Sequence, residues 1–509
     1  MRRLHHCVLL AALAALLAPG SVSAAEQVRI AEQVRIDSGL LSGVRAEGVS
    51  SFRGIPYAAP PVGPLRWRPP QPAAAWTGVR PADHNGEICM QKLFADNGVG
   101  EGKGSEDCLT LNVFTPKADR GARLPVMVWI HGGGLVNGSG TAALYDGTRL
   151  AQQGVVMVSI NYRLGRFGFF AHPALSVEPG HGALANYGLM DQVAALKWVQ
   201  QNISAFGGDP ARVTVFGESA GGLSVNRLML IPEARGLFSK AIVESGVGRE
   251  VGQSLSDAEL SGARFVAGLS VVGQDVAALR AIPADAIVGA GDIDMIKGEA
   301  PIVDGTLVTQ GVLDGFRQGR EAPVPYLVGS NNLEIPAAYA GAFKAFDRLT
   351  PEQRGAAEDV YGGADAFKAH IITDIVFGEP ARALAKAHAK TGAPTWLYRF
   401  SVVSSGAPKV LKGAVHASDR QYVFQTLAAS PWPTDERDAA LAKVISAYWV
   451  AFAKTGDPNG DFRPAWPRYD NTDRLINFTN DGPKVEPTPD AAALDFIGRT
   501  ADAPPAAPR

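Results

Sequence analysis

The pentapeptide Gly217-Glu218-Ser219-Ala220-Gly221 restricts the possible folds of this chain more than any other feature. Alone, G-x-S-x-G is a weak signal, because small residues recur by chance. Its setting is stronger: Val213-Thr214-Val215-Phe216 reads as a strand that ends at the motif, and residues 220–230 read as a helix. The serine therefore stands on a strand-to-helix turn, in a strained conformation that exposes its hydroxyl. Glycines two positions to either side leave room for strand and helix to approach. The amino end of the helix also favours negative charge developing beside it. Ser219 is accordingly the candidate nucleophile rather than a structural turn residue.

A serine hydroxyl is a weak nucleophile until a base accepts its proton, and in α/β-hydrolases the helpers follow in the order serine, acid, histidine. Downstream of Ser219 stand His370, His388 and His416. The first two lie in Ala- and Lys-containing helical stretches, where a solvated histidine is the plain explanation. His416 lies in the loop Gly413-Ala414-Val415-His416-Ala417-Ser418, after a strand at 396–400, where the base should enter. The acid should leave the end of the preceding strand. Residues 326–328 run into Gly329-Ser330-Asn331-Asn332-Leu333-Glu334, so Glu334 is the candidate that fixes the histidine tautomer. Asp304, in Pro301-Ile302-Val303-Asp304-Gly305, is the alternative and reads as a turn residue. A strand at 126–130 ends in His131-Gly132-Gly133-Gly134, whose glycines can aim main-chain amides at a carbonyl oxygen. The expected oxyanion donors are Gly133, Gly134 and Ala220. His131 is read as holding this loop, since no second histidine lies at ligand spacing; no metal or organic cofactor is expected.

Strands at 126–130, 155–160, 213–216, 241–243, 326–328 and 396–400 alternate with helical segments, notably 187–203 and 441–454. That alternation predicts an α/β fold, a large mostly parallel central sheet flanked by helices. The stretches 54–72 and 254–299 read as excursions, and 25–500 as a single domain. Of the 509 residues 46% are hydrophobic and 19% charged, which suits a large buried core, and the formal charge of −2 offers no field to gather nucleic acid. Arg2 and Arg3, an apolar run at 8–18 and Val22-Ser23-Ala24 read as a signal peptide over 1–24. The alternative is an uncleaved anchor, although the run is too short to span a bilayer. The expectation is export to periplasm or medium. Two cysteines remain, Cys89 and Cys108, and an even count in an exported chain suggests one disulfide, two unrelated thiols being the alternative. Residues 25–30 and 31–36 repeat Ala-Glu-Gln-Val-Arg-Ile, of which the second copy is expected to feed the first strand. The Pro- and Ala-rich 501–509 reads as a disordered tail.

These residues resemble the type-B carboxylesterase family, which includes cholinesterases, mammalian carboxylesterases and bacterial para-nitrobenzyl esterases. Gly54-Ile55-Pro56-Tyr57-Ala58, Pro60-Pro61-Val62-Gly63 and Leu65-Arg66 look like its N-terminal signature, and Glu106-Asp107-Cys108-Leu109 like its second. Asn186 to Gln192, Phe206-Gly207-Gly208-Asp209-Pro210, the segment 217–222, Asp457-Pro458-Asn459 and Trp466-Pro467 extend the likeness over nearly all of the chain after 24. The resemblance implies an α/β-hydrolase fold with insertions, a Ser219–Glu334–His416 triad, and a disulfide from Cys108 to the upstream Cys89. Four positions depart from the family pattern: Leu333 and Ile335 flank Glu334 where Asp and Gly are usual, Leu135 replaces an aromatic, and Glu244 precedes Ser245-Gly246 where glutamine is usual.

The expected reaction is hydrolysis of a small carboxylic ester through an acyl-enzyme. The alternatives are a lipase for longer acyl chains and a non-catalytic binding protein on the same fold. With few aromatics between Cys89 and Cys108, where Phe94 stands alone, choline esters are not expected to be preferred, although Glu218 beside the nucleophile offers a cation some attraction.

Overall fold

Runs of valine, isoleucine and aromatic residues alternating with helices can bury both faces only inside a parallel sheet. In the computed structural model, which describes residues 30–92, 104–178, 185–269, 271, 273, 275–289, 301–336 and 349–502, they form its centre. Thirteen strands join one sheet among the described residues. They are β1 Ile30–Ile36, β2 Gly39–Ala46, β3 Val49–Pro56, β4 Val79–Pro81, β5 Thr110–Thr115, β6 Leu124–Ile130 and β7 Val156–Ile160. Then come β8 Gly208–Glu218, β9 Lys240–Glu244, β10 Tyr326–Asn331, β11 Thr395–Phe400, β12 Arg474–Thr479 and β13 Gly482–Pro487. The order is β1-β2-β3-β5-β7-β6-β8-β9-β10-β11-β12-β13, with β4 beside β2. Strands β7 to β12 in that order are parallel, and antiparallel strands close both ends.

Side chains alternate across β6. Val126, Val128 and Ile130 join the core beneath helices Tyr187–Asn202 and Ala220–Leu230, whereas Met127 and Trp129 join the opposite core beneath helix Glu436–Thr455. A one-residue slip would exchange the two faces, so both cores fix the register. Because β6 lies between β7 and β8, the chain leaves β6 toward one edge and β8 toward the other. Ile130 pairs with Gly217, which puts the ends of β6 and β8 side by side at this switch point. In open α/β sheets the crevice at such a point is where ligands bind.

The motifs that resemble the family's signatures act as mutual staples. Arg66 makes a fork to Glu106, with Nε to Oε2 at 2.7 Å and Nη2 to Oε1 at 2.5 Å. Arg163 grips Asp191 in the same way, at 2.8 and 2.7 Å, with both side chains buried. Gln192 donates to Ser224 Oγ at 3.0 Å and so ties helix Tyr187–Asn202 to helix Ala220–Leu230. Trp466 and Asn459 exchange two hydrogen bonds. Cys89 and Cys108 are joined as a disulfide.

Several expectations need correction. Residues 54–56, read as an excursion, belong to β3, because the Gly54 amide donates to Asn112 Oδ1 of β5 at 2.9 Å and Ile55 is buried. His388 is not solvated. Its Nδ1 lies 2.9 Å from Glu321 Oε1, its Nε2 lies 2.9 Å from Val324 O, and both side chains are fully buried. The C-terminal helix Ala491–Asp502 runs two residues into the presumed tail, since Arg249 and Arg317 both pair with Asp502. The second hexapeptide copy forms β1 together with Ile30 of the first. The expected signal peptide at 1–24, Phe94 and the tail beyond 502 lie outside the described residues. Among the described residues no helix is long and apolar enough to cross a membrane.

Candidate active site

Strand β8 ends at Glu218 and the helix Ala220–Leu230 begins at once, leaving Ser219 as the single hinge residue. Its φ of 57° and ψ of −122° are sparsely populated for a side-chain-bearing residue and cost about 1–3 kcal/mol. The surroundings impose this conformation: the Ser219 amide donates to Glu244 O at 2.8 Å, and its carbonyl accepts from Leu223 at 2.8 Å. The motif glycines are required by contact. A Cβ on Gly221 would stand 2.0 Å from Ile130 O, and one on Gly217 would stand 2.6 Å from Gly221 C.

The structure brings together the three residues singled out by chain order. His416 Nε2 lies 2.8 Å from Ser219 Oγ, and its Nδ1 lies 2.7 Å from Glu334 Oε2. The histidine and acid loops are bound to each other. The His416 amide donates to Glu334 O at 2.9 Å, Leu333 N to Ala414 O at 3.1 Å, and Ala414 N to Asn332 Oδ1 at 2.7 Å. Glu334 is buried, and its Oε1 accepts from Ser245 Oγ at 2.6 Å and Asn331 N at 2.7 Å. Leu333 and Ile335, unusual beside such an acid, therefore leave the carboxylate fully served. Phe377, on a π-helical turn Asp374–Gly378, packs its ring 4.9 Å from the His416 ring. Asp304, the alternative acid, instead accepts from the amides of Thr306, Leu307 and Val308 and so is a turn residue.

The glycine loop after β6 crosses in front of the Ser219 turn. A Cβ on Gly132 would stand 3.1 Å from Ser219 Cβ, so the two chains run in contact. Gly133 and Gly134 take φ of 106° and 64°, values a side chain would resist, and this turns the loop over the end of β8. Ala220 is the first residue of its helix, a position whose amide has no intrahelical acceptor. His131 serves the loop, as read from the sequence. Its Nδ1 donates to Gly132 O at 2.8 Å, its ring stacks 4.4 Å from Tyr162, and burial pushes its pKa down to about 4. Leu135 is buried in the core beside this loop.

The sequence marks Glu218 and Glu244 but does not show that they gather with Asp419 and Arg420 around the histidine. Glu218 is buried and its Oε1 stands 3.3 Å from His416 Nε2. Burial works to lower the His416 pKa, but the charges of Glu218 and Glu334 outweigh it and carry the value to about 9. Glu244 accepts from Trp449 Nε1 at 2.7 Å, and burial together with Asp419 holds it far above the carboxylate range. Asp419 is itself pushed up by burial and by Glu218. The sequence signal was the pair Asp419-Arg420, three and four residues past His416, which reads as solvated until the loop is folded.

A serine on a strained strand-to-helix turn, backed by histidine and glutamate at the open ends of a parallel sheet, defines a serine hydrolase of the α/β-hydrolase fold. The carboxylesterase family model matches residues 30–361 and 344–497, and the chain belongs to that family. It is 38% identical over 467 residues to the fumonisin B1 esterase of Sphingopyxis macrogoltabida, covering 87% of this chain and 85% of that one. It is 36% identical over 480 residues to the para-nitrobenzyl esterase of Bacillus subtilis, covering 89% and 96%. A solved carboxylesterase of Geobacillus stearothermophilus superposes with a TM-score of 0.80 at 34% identity, over 91% of this chain and 99% of that one.

Proposed function

We propose that this carboxylesterase cleaves its esters in two steps with Ser219 as nucleophile, His416 as general base and Glu334 as the residue that orients and charges the histidine. The observation that carries this reading is His416, which faces Ser219 Oγ with one ring nitrogen and Glu334 with the other. Glu334 accepts the Nδ1 proton, which leaves the Nε2 lone pair to take the serine proton. The alkoxide attacks the ester carbonyl. The oxyanion that forms meets the amides of Gly133, Gly134 and Ala220 at the amino end of a helix. His416 then protonates the leaving alcohol, and water hydrolyses the acyl-enzyme by the same route. The basic, apolar and small-residue order of 1–24 supports export, so that the Cys89–Cys108 bridge would form in an oxidising compartment.

Labelling with a fluorescent organophosphonate tests the assignment. One equivalent should attach to Ser219. Ser219→Ala should abolish labelling and lower kcat by about 10⁴-fold or more with the fold intact. Labelling of the alanine variant, or retention of a tenth of the activity, would remove Ser219 from the role. Fumonisin B1 and para-nitrobenzyl esters, after which two relatives are named, belong in the substrate panel.

A further inference from the structure

A buried carboxylate beside the nucleophile is a magnet for cations, and Glu218 holds that position. In this chain it has an answering charge. Arg420 Nε lies 3.8 Å from Glu218 Oε2 and donates to Ala417 O at 3.0 Å. Its Nη1 donates to Tyr145 Oη at 2.7 Å, and its Cζ sits 5.9 Å from the Tyr145 ring centroid. Two anchors on different segments therefore hold the guanidinium in place, and its side chain is only 25% exposed, so water screens it weakly. A guanidinium remains charged at every relevant pH.

The other titratable groups facing this pair are His416, Asp419, Glu244, Glu334, Tyr145 and Tyr398. Burial and the neighbouring acidic groups raise Glu244 well above the ordinary carboxylate range and push Asp419 up to about 7. Burial also raises Tyr145, which stays neutral. The carboxylates that approach His416 are Glu218, 3.3 Å from Nε2, and Glu334, 2.7 Å from Nδ1. Arg420 is the cation that faces Glu218, whereas Glu334 faces His416. A substrate cation that approaches Glu218 therefore meets an answering positive charge already in place beside it.

We propose that Arg420 is a specificity-determining residue whose guanidinium cancels the charge of Glu218 beside the nucleophile, turning the site toward uncharged and anionic esters and away from quaternary-ammonium esters. The proposal rests on the assignment of Ser219 and His416 as the reacting pair. It differs from the earlier expectation drawn from missing aromatic rings, because it is a matter of charge and can be reversed by one substitution.

The test compares kcat/KM for acetylcholine with that for its uncharged carbon isostere, at matched ionic strength, in the wild type, Arg420→Leu and Arg420→Lys. The wild type should show no preference for the charged ester. Arg420→Leu should raise the charged-to-uncharged ratio on the order of tenfold, as expected for an unscreened charge several ångströms away. The same variant should move the acid limb of the uncharged ester's pH profile to higher pH, because Arg420 no longer opposes protonation of His416. Arg420→Lys should restore both properties toward wild type. If Arg420→Leu fails to fold, Arg420→Gln, which can still donate to Ala417 O and Tyr145 Oη, carries the same expectation. A wild-type preference of tenfold or more for acetylcholine, an unchanged ratio in the neutral variants, or a lysine variant that behaves like leucine would each overturn the proposal. Absence of hydrolysis of either ester by the wild type, with no phosphonate labelling, would instead overturn the assignment of Ser219.

Discussion

Glu334→Gln tests the triad most sharply, because the structure dictates how the amide must sit. Three donors converge on the Glu334 carboxylate: the Asn331 amide at 2.7 Å, the Ser245 hydroxyl at 2.6 Å and His416 Nδ1 at 2.7 Å. Glutamine fits the same space but offers one acceptor oxygen and one amino group. The Ser245 hydroxyl can rotate to accept, whereas the Asn331 main-chain N–H cannot. The amide oxygen must therefore face Asn331, and the amino group then faces Nδ1. Nδ1 becomes an acceptor, the ring proton moves to Nε2, and Nε2 points that proton at Ser219 Oγ, 2.8 Å away. The base is then in the wrong tautomer to accept the serine proton. The expected loss is about 10⁴-fold in kcat, equivalent to about 5.4 kcal/mol of transition-state stabilisation. Hydrolysis of a chromogenic aryl ester measures the loss, and circular dichroism with thermal unfolding confirms that the variant retains the fold. Activity within tenfold of wild type in a folded variant would show that tautomer control by Glu334 is not what limits the reaction.

Two further measurements follow from the site and its surroundings. His416 must be neutral to act as a base, and its pKa is raised toward 9, so kcat/KM should climb as pH rises through neutrality rather than level off at the ordinary histidine value. An acid limb centred at or below pH 6.5 would show that Glu218 and Glu334 do not act on His416 as their distances imply. Replacing Cys89 and Cys108 together with alanine should cost about 3 kcal/mol of stability, given the 19-residue separation, with esterase activity retained under mild conditions. An unchanged urea midpoint for the double variant would remove the stabilising role of the bridge.

The readings that the structure bears out depend on short-range constraints. The glycines of the pentapeptide were legible because their reason is local contact: Gly217 and Gly221 lie against each other and against Ile130 O at the end of the neighbouring strand. The parallel core strands were legible because apolar runs bounded by turn residues have few alternatives. The antiparallel ends of the sheet were not. Strands β1 to β4 and the β12–β13 hairpin are short or half-exposed, and Gly54-Ile55-Pro56 looks like a loop until Asn112 of β5 accepts from it.

His416 and Glu334 could be chosen from chain order, because each had to follow a particular strand. Their neighbours could not. His388 sits in an Ala- and Lys-containing helix that reads as solvated, yet it is buried against Glu321, 67 residues away in the chain. Ser245, which completes the acid's hydrogen bonds, is separated from Glu334 by 89 residues. Arg420 reaches Tyr145 across 275 positions and also faces Glu218, far away in the chain, and nothing in its own stretch distinguishes it from a surface arginine. The sequence by itself therefore singled out the residues proposed to react and the order in which the chain delivers them, since these follow from covalent neighbours and strand order. The electrostatic setting of those residues was decided only by tertiary structure. Charge acts through space, and burial, which sets its strength, is a property of the packed fold and not of any segment.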